Sequence, residues 1–165
     1  MDSTIIFEQV DRSYDMTPIV LIDESGSTAV SFSKGMSVFN NENSVIKKIL
    51  EDKHIESFYL AYWSNLCTIV SNDPVSFEQV QHSPSNGATH LEFVLEKIPN
   101  SWYGRNIVDM YVITDGELNG NDNATKTRLE NLINDKKVNV HIITVEPNRR
   151  NYMEQNCNAG NKIFD

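Results

Sequence analysis

A chain of 165 residues, of which 39% are hydrophobic, is long enough for one domain with a single core. Its net charge of −9 disfavours nucleic-acid binding, because phosphate backbones would be repelled. No apolar run approaches the ~20 residues of a membrane span, and residues 1–7 lack the basic and apolar regions of a signal peptide. We therefore expect a monomeric, cytoplasmic domain without membrane insertion, in which Cys67 and Cys157 are reduced thiols.

The first part of the chain predicts strands and helices in turn. Apolar runs that stop at turn residues indicate buried strands, and apolar residues three or four apart indicate helices. The predicted elements are a short strand at Thr4–Phe7, a buried strand ending at Asp23, a hairpin or ordered loop at Ala29–Phe39, a helix from Asn40–Asn43 to about Lys53, strands at Ser57–Trp63 and Leu66–Val70, and a helix that Thr89 caps and that is buried through Leu91, Val94, Leu95 and Ile98. The strand at Leu66–Val70 follows a tight turn and should lie antiparallel at a sheet edge.

The second part continues this alternation. Its predicted elements are a strand at Ile107–Thr114, a helix at Ala124–Lys137, a strand at Val138–Val145, one short helix at Arg149–Cys157 and the start of a strand at Lys162–Phe164. Strands that alternate with helices predict a mainly parallel sheet with helices on both faces. Open α/β sheets bind ligands at the carboxyl ends of their strands, so the residues that follow these strands are the candidates for a site.

Residues suited to a hard cation follow two of the predicted strands. Asp23, Ser25 and Ser27 form the pattern D-x-S-x-S directly after the first buried strand, and Asp115 directly follows Thr114. Carboxylate and hydroxyl oxygens are ligands that Mg²⁺ prefers. Gly26 gives the loop the backbone freedom to bring three side chains together. The pattern predicts a divalent cation at this edge of the sheet.

With Thr89 on a further loop, this set resembles the metal-ion-dependent adhesion site of the von Willebrand factor A (vWA) family. The order and spacing fit over roughly residues 15–147. The resemblance implies an intracellular-type vWA domain with a three-layer Rossmann-like fold and one antiparallel edge strand. It implies that Mg²⁺ or Mn²⁺ is held by Asp23, Ser25, Ser27, Thr89 and Asp115. It also implies a binding module, not an enzyme, whose protein partner supplies an Asp or Glu to the ion.

Three features depart from the family pattern. The segment Ala29–Phe39 separates D-x-S-x-S from the first helix, and we expect it to reshape the rim of the site. Glu24 and Glu117 add carboxylates beside the ligands, and we expect both to be solvated loop residues rather than residues that tune the metal. The chain ends at Asp165, where family domains continue through another strand and helix, so we expect a single domain, 1–165, from a longer protein.

Two other functions stay open at this point. One is a phosphatase resembling the haloacid dehalogenases, although Ser25 stands where those enzymes need a second aspartate as acid and base. The other is a structural vWA module whose metal only holds three loops together. We expect His54 and His82 to be exposed and His141 to be structural, and His90, which follows Thr89, is a candidate for the border of the site. The aromatic residues Phe58, Tyr59, Tyr62 and Trp63 should pack in the core, whereas Trp102 and Tyr103 are candidates for a contact surface.

Overall fold

The computed structural model describes residues 17–24, 31–33, 36–64, 67–77, 91–104, 107–114, 122–136, 138–145 and 152–157. The elements in these ranges are β1 (Ile19–Asp23), β2 (Ser31–Ser33), β3 (Met36–Ser37), α1 (Val38–Asp52), β4 (Tyr59–Trp63), β5 (Cys67–Ile69), α2 (Leu91–Lys97), a 3₁₀ turn (Asn100–Trp102), β6 (Val108–Thr114), α3 (Asp122–Lys136), β7 (Val138–Val145) and β8 (Tyr152–Cys157). The short strands predicted at Thr4–Phe7 and Lys162–Phe164 lie outside these ranges. No described helix is long and apolar enough to cross a bilayer.

A mostly parallel sheet organises the fold, in the strand order β5-β4-β1-β6-β7-β8. The four central strands run parallel, and β5 and β8 are antiparallel to their neighbours β4 and β7. In the register of the sheet, Asp23 lies opposite Trp63, and Ile22 lies opposite Ile113. The carboxyl ends of β1, β4 and β6 therefore meet at one edge, which we call the carboxyl edge.

Helices pack on both faces of this sheet. Successive strand residues point to opposite faces, so Ile19 and Leu21 lie in one cluster and Val20 and Ile22 in the other. The first cluster contains apolar residues of α2 and α3, and the second contains those of α1. All five residues of β1 are buried, as expected for a central parallel strand that is covered on both sides. The prediction of an α/β fold with a mainly parallel sheet is confirmed.

The predicted helix at Arg149–Cys157 is wrong. Tyr152–Cys157 instead forms β8, which pairs with β7 from Val145–Tyr152 to Val140–Cys157. The backbone of β7 has N–H and C=O groups along this edge that need hydrogen-bond partners, and a strand supplies them. Antiparallel strands consequently lie at both edges of the described sheet, rather than at one edge as predicted.

The segment before α1 contains the predicted hairpin. Ser31 pairs with Ser37 and Ser33 with Met36 in a small antiparallel sheet. Strand β3 continues directly into α1 at Val38, so the helix begins two residues before the predicted Asn40–Asn43 start. A short hairpin therefore lies between β1 and α1, within the segment Ala29–Phe39 for which the sequence predicts a hairpin or ordered loop.

Candidate metal site

Asp23 is a buried carboxylate at the carboxyl edge. It is the last residue of β1, and none of its surface is exposed. The hydroxyl of Thr114 donates a hydrogen bond of 2.8 Å to Asp23 Oδ2. Thr114 ends β6 and is itself buried. A side-chain hydrogen bond thus joins the ends of two neighbouring strands and orients the Asp23 carboxylate.

The sheet register explains this contact. Because Ile22 pairs with Ile113, the next residues, Asp23 and Thr114, are also neighbours across the two strands. Asp115 follows Thr114 directly in the sequence. The other predicted ligands, Ser25, Ser27, Thr89 and Asp115, all lie outside the described residues. Asp23 is therefore the one predicted metal ligand that lies within the described residues.

Glu24 does not have the solvated position that we expected. Only 2% of its surface is exposed, and its N–H donates a 2.7 Å hydrogen bond to the carbonyl oxygen of Trp63. The Thr68 hydroxyl, on edge strand β5, lies 3.5 Å from Glu24 Oε1 and donates to it. The pairing of β1 with β4 therefore continues one residue past Asp23, and this extension buries the side chain. Glu117 lies outside the described residues.

The negative charge of Glu24 acts on two neighbouring side chains. Burial, reinforced by this charge, raises the pKa of Tyr62 above its usual value. Burial and the same charge raise the pKa of Cys67 to about 11, while Lys97 opposes them. Cys67 carries a free thiol, as predicted, and this thiol stays protonated at neutral pH. Burial and the Glu24 charge therefore both disfavour a further negative charge near the end of β1.

The described residues include oxygen groups of the kind that suit a hard divalent cation. Asp23 supplies a buried carboxylate, Thr114 orients it, and Glu24 adds a second buried acid in the next position. Oxygen atoms of this kind suit Mg²⁺ better than softer metals. A grouping of three or more His, Cys, Asp or Glu residues that could hold a metal is not found within the described ranges, which include only one of the two predicted carboxylate ligands.

Comparison with known proteins adds no family assignment. No protein-family model matches the chain, and no curated protein matches it significantly. The case for the site consequently rests on the residue pattern and on the geometry of the carboxyl edge.

A second polar cluster lies toward the opposite end of β6 and β7. The His141 Nε2 atom lies 3.0 Å from Asp109 Oδ1, and Asn139 Nδ2 donates a 2.8 Å hydrogen bond to the same oxygen. The hydrogen bond from His141 is the largest cause of a lowered pKa at Asp109, and burial opposes it. His141 also stacks on Tyr111, with ring centroids 4.7 Å apart. These contacts confirm the structural role predicted for His141. His54 is exposed as predicted, whereas His82 and His90 lie outside the described residues.

The prediction that Trp102 and Tyr103 form a contact surface is wrong for Trp102. Trp102 is only 2% exposed and stacks on Tyr59, with ring centroids 5.0 Å apart. The 3₁₀ turn folds the indole back against the sheet, so a loop position becomes part of the core. Tyr103 is partly buried, and this burial raises its pKa to about 12. The core positions predicted for the aromatics of residues 58–63 are confirmed.

Proposed function

We propose that this chain is an intracellular vWA-type domain with a three-layer Rossmann-like fold, and that it binds a protein partner through Mg²⁺ or Mn²⁺ at the carboxyl edge. The observation that supports this proposal most is the buried Asp23 carboxylate, which Thr114 orients one residue before Asp115. Adjacent strand ends in an α/β sheet are the usual position of a ligand site. The proposed module binds a partner and has no catalytic activity of its own.

The proposed ligands are Asp23, Ser25, Ser27, Thr89 and Asp115, some of them through water. A bound Mg²⁺ ion would supply a hard, positively charged centre for a carboxylate of the partner. Asp23 and Asp115 contribute the negative charge, and the three hydroxyl residues contribute neutral oxygens. Thr114 keeps the Asp23 carboxylate in one orientation, because its hydroxyl donates to Oδ2. Because only two of the proposed ligands are charged, the ion would remain attractive to a further carboxylate from the partner.

The experiment that tests the proposal uses Mn²⁺ as a paramagnetic probe. Mn²⁺ bound to the domain should enhance water-proton relaxation, because it retains waters in its coordination sphere. Acetate, added as a carboxylate probe, should displace one of these waters and lower the enhancement, whereas acetamide of similar size should not. Calorimetry with Mg²⁺ and Mn²⁺ at millimolar concentration accompanies this measurement. If neither ion binds, the proposed function is wrong.

A structural module is the second candidate function. The Thr114–Asp23 hydrogen bond ties two strand ends together at this edge, and this observation favours a structural role for the site. In that case an ion would bind and raise the melting temperature, because ligands that bind only the native state stabilise it. Acetate would then leave the relaxation enhancement unchanged. The acetate experiment therefore separates the binding module from the structural one.

A further inference from the structure

A buried acid that is not among the proposed ligands lies beside the candidate metal site. Glu24 follows Asp23 directly, but the two carboxylates accept hydrogen bonds from different strands, Asp23 from Thr114 of β6 and Glu24 from Thr68 of β5. The two carboxylates therefore leave the backbone in different directions. Glu24 faces the edge strand β5, where the hydroxyl of Thr68 donates to it. Its surroundings are nearly dry, because 98% of its surface is covered, the complement of the 2% that is exposed.

We propose that Glu24 is a charge-tuning residue of this site, whose fixed negative charge raises the affinity for a divalent cation without contacting it. This inference rests on the proposed function. The N–H bond to Trp63 and the Thr68 hydroxyl hold the side chain in place. Buried charges are screened much less than exposed ones, so a carboxylate on the residue next to a ligand attracts the same cation.

Calorimetric titration with Mg²⁺ tests the tuning role. Glu24→Gln keeps the side-chain shape and an oxygen that accepts from Thr68, but it removes the charge. We expect it to raise the Mg²⁺ dissociation constant roughly fivefold to tenfold. Glu24→Asp retains the charge and should restore most of the affinity. The matched control is Glu56→Gln, an exposed acid beyond the amino end of β4, which should leave the constant within about twofold.

A second readout can be taken in the metal-free protein. Asp23, Trp63 and Cys67 are consecutive neighbours across three strands, so Cys67 lies roughly 10 Å from Asp23 at the usual strand spacing. In a Cys157→Ser background, the rate at which iodoacetamide alkylates Cys67 at pH 8.5 reports its thiolate fraction. Glu24→Gln should raise this rate about threefold in the metal-free protein. Mg²⁺ should raise it in the protein that retains Glu24.

An independent variant covers the case in which Glu24→Gln does not fold. Thr68 is exposed, so Thr68→Lys exchanges the hydroxyl that donates to Glu24 for a cation beside the same carboxylate. It should weaken Mg²⁺ binding severalfold, and Asn72→Lys, an exposed residue of the following turn, serves as its control. Where both variants fold, Thr68→Lys should have less effect in the Glu24→Gln background, because the charge that it neutralises is already gone.

The outcomes separate the two proposals. If the wild-type protein binds neither Mg²⁺ nor Mn²⁺, the proposed function and this inference are both overturned. If the wild type binds Mg²⁺ and Glu24→Gln binds it equally well, only the tuning role is overturned. A lower melting temperature with an unchanged dissociation constant would mean that Glu24 is purely structural. Equal effects of Thr68→Lys and Asn72→Lys would also contradict the inference, because a general surface-charge effect would then suffice.

Discussion

Strand β6 carries two polar clusters that surround aspartates in different ways. Toward its amino end, Asp109 is held by His141 and Asn139, both on the neighbouring strand β7. At its carboxyl end, about 17 Å away at the usual rise per residue, Thr114 donates a hydroxyl to Asp23 of β1. Asp109 is half exposed and paired with an imidazole, whereas Asp23 is fully buried and has another acid as its chain neighbour. We infer from this difference that the Asp109 cluster holds β6 and β7 together, whereas the surroundings of Asp23 suit a cation.

The largest expected effect is the loss of Mg²⁺ binding, which should follow from substitutions at the carboxyl edge but not from a substitution at Asp109. Asp23→Ala should abolish Mg²⁺ binding at millimolar concentration, and Asp115→Ala should do the same. Asp109→Ala should leave the Mg²⁺ affinity within about twofold, since it lies more than a Debye length away. Calorimetry measures the binding, and circular dichroism checks the fold.

The fold of the Asp23 variant is informative in its own right. At the proposed site, removing one of the two ligand carboxylates relieves their repulsion in the metal-free protein, which offsets the lost hydrogen bond from Thr114. We therefore expect Asp23→Ala to stay folded. If it unfolds, Asp23 is a structural residue and not a metal ligand.

The opposite cluster should respond through stability. His141→Gln keeps a hydrogen-bond donor but loses the stacking on Tyr111 and fits the buried position less well. We expect it to lower the free energy of unfolding by about 1–3 kcal/mol, as measured by urea denaturation. His54→Gln, at an exposed histidine, is the control and should change this value by less than about 0.5 kcal/mol. A change in Mg²⁺ affinity on His141→Gln would show that the two clusters are coupled.

Acidification gives a smaller effect with a definite sign. The folded-state pKa of Asp109 is lowered, mainly by its hydrogen bond with His141, so its carboxylate stabilises the fold at pH values above the unfolded pKa of about 3.9. That contribution is lost as the pH falls through the lower folded value. Wild type should therefore lose more stability than Asp109→Asn between pH 5 and about pH 2. Because 47% of the Asp109 side chain is exposed, solvent screening should keep the difference below about 1 kcal/mol. Parallel curves in urea titrations at several pH values would contradict the assignment.

Sequence periodicity predicted the centre of the sheet well, because burial on both faces leaves a continuous apolar run. The strand predicted at Val138–Val145 has the same limits in the structure, and the strand ending at Asp23 ends there. The edge was harder to predict. Strand β8 has no such apolar run. It pairs with β7, whose backbone groups along this edge would otherwise need other hydrogen-bond partners.

The candidate site was predictable in part for the same reason. Apolar runs located Asp23 and Thr114 at strand ends, and the structure places them in contact. The burial of Glu24 was missed because it depends on one further hydrogen bond with β4 beyond the apolar run. The burial of Trp102 was not predicted, because the 3₁₀ turn that places this side chain in the core has no recognisable apolar periodicity in the sequence. Errors of both kinds come from tertiary contacts at the ends of elements.

The smallest expected effect concerns a backbone position close to the amino-end cluster. His54 follows α1 and has a φ of 58°, in the left-handed region that favours glycine. Ile55 N–H donates to the carbonyl oxygen of Leu50, so this conformation ends the helix. His54→Gly should raise the free energy of unfolding by about 0.5–1 kcal/mol in urea titrations, and Mg²⁺ affinity should not change. His54→Ala, which retains a Cβ atom, is the control and should show no gain. A gain in His54→Ala equal to that in His54→Gly would show that the imidazole, rather than the backbone angle, limits stability at this turn.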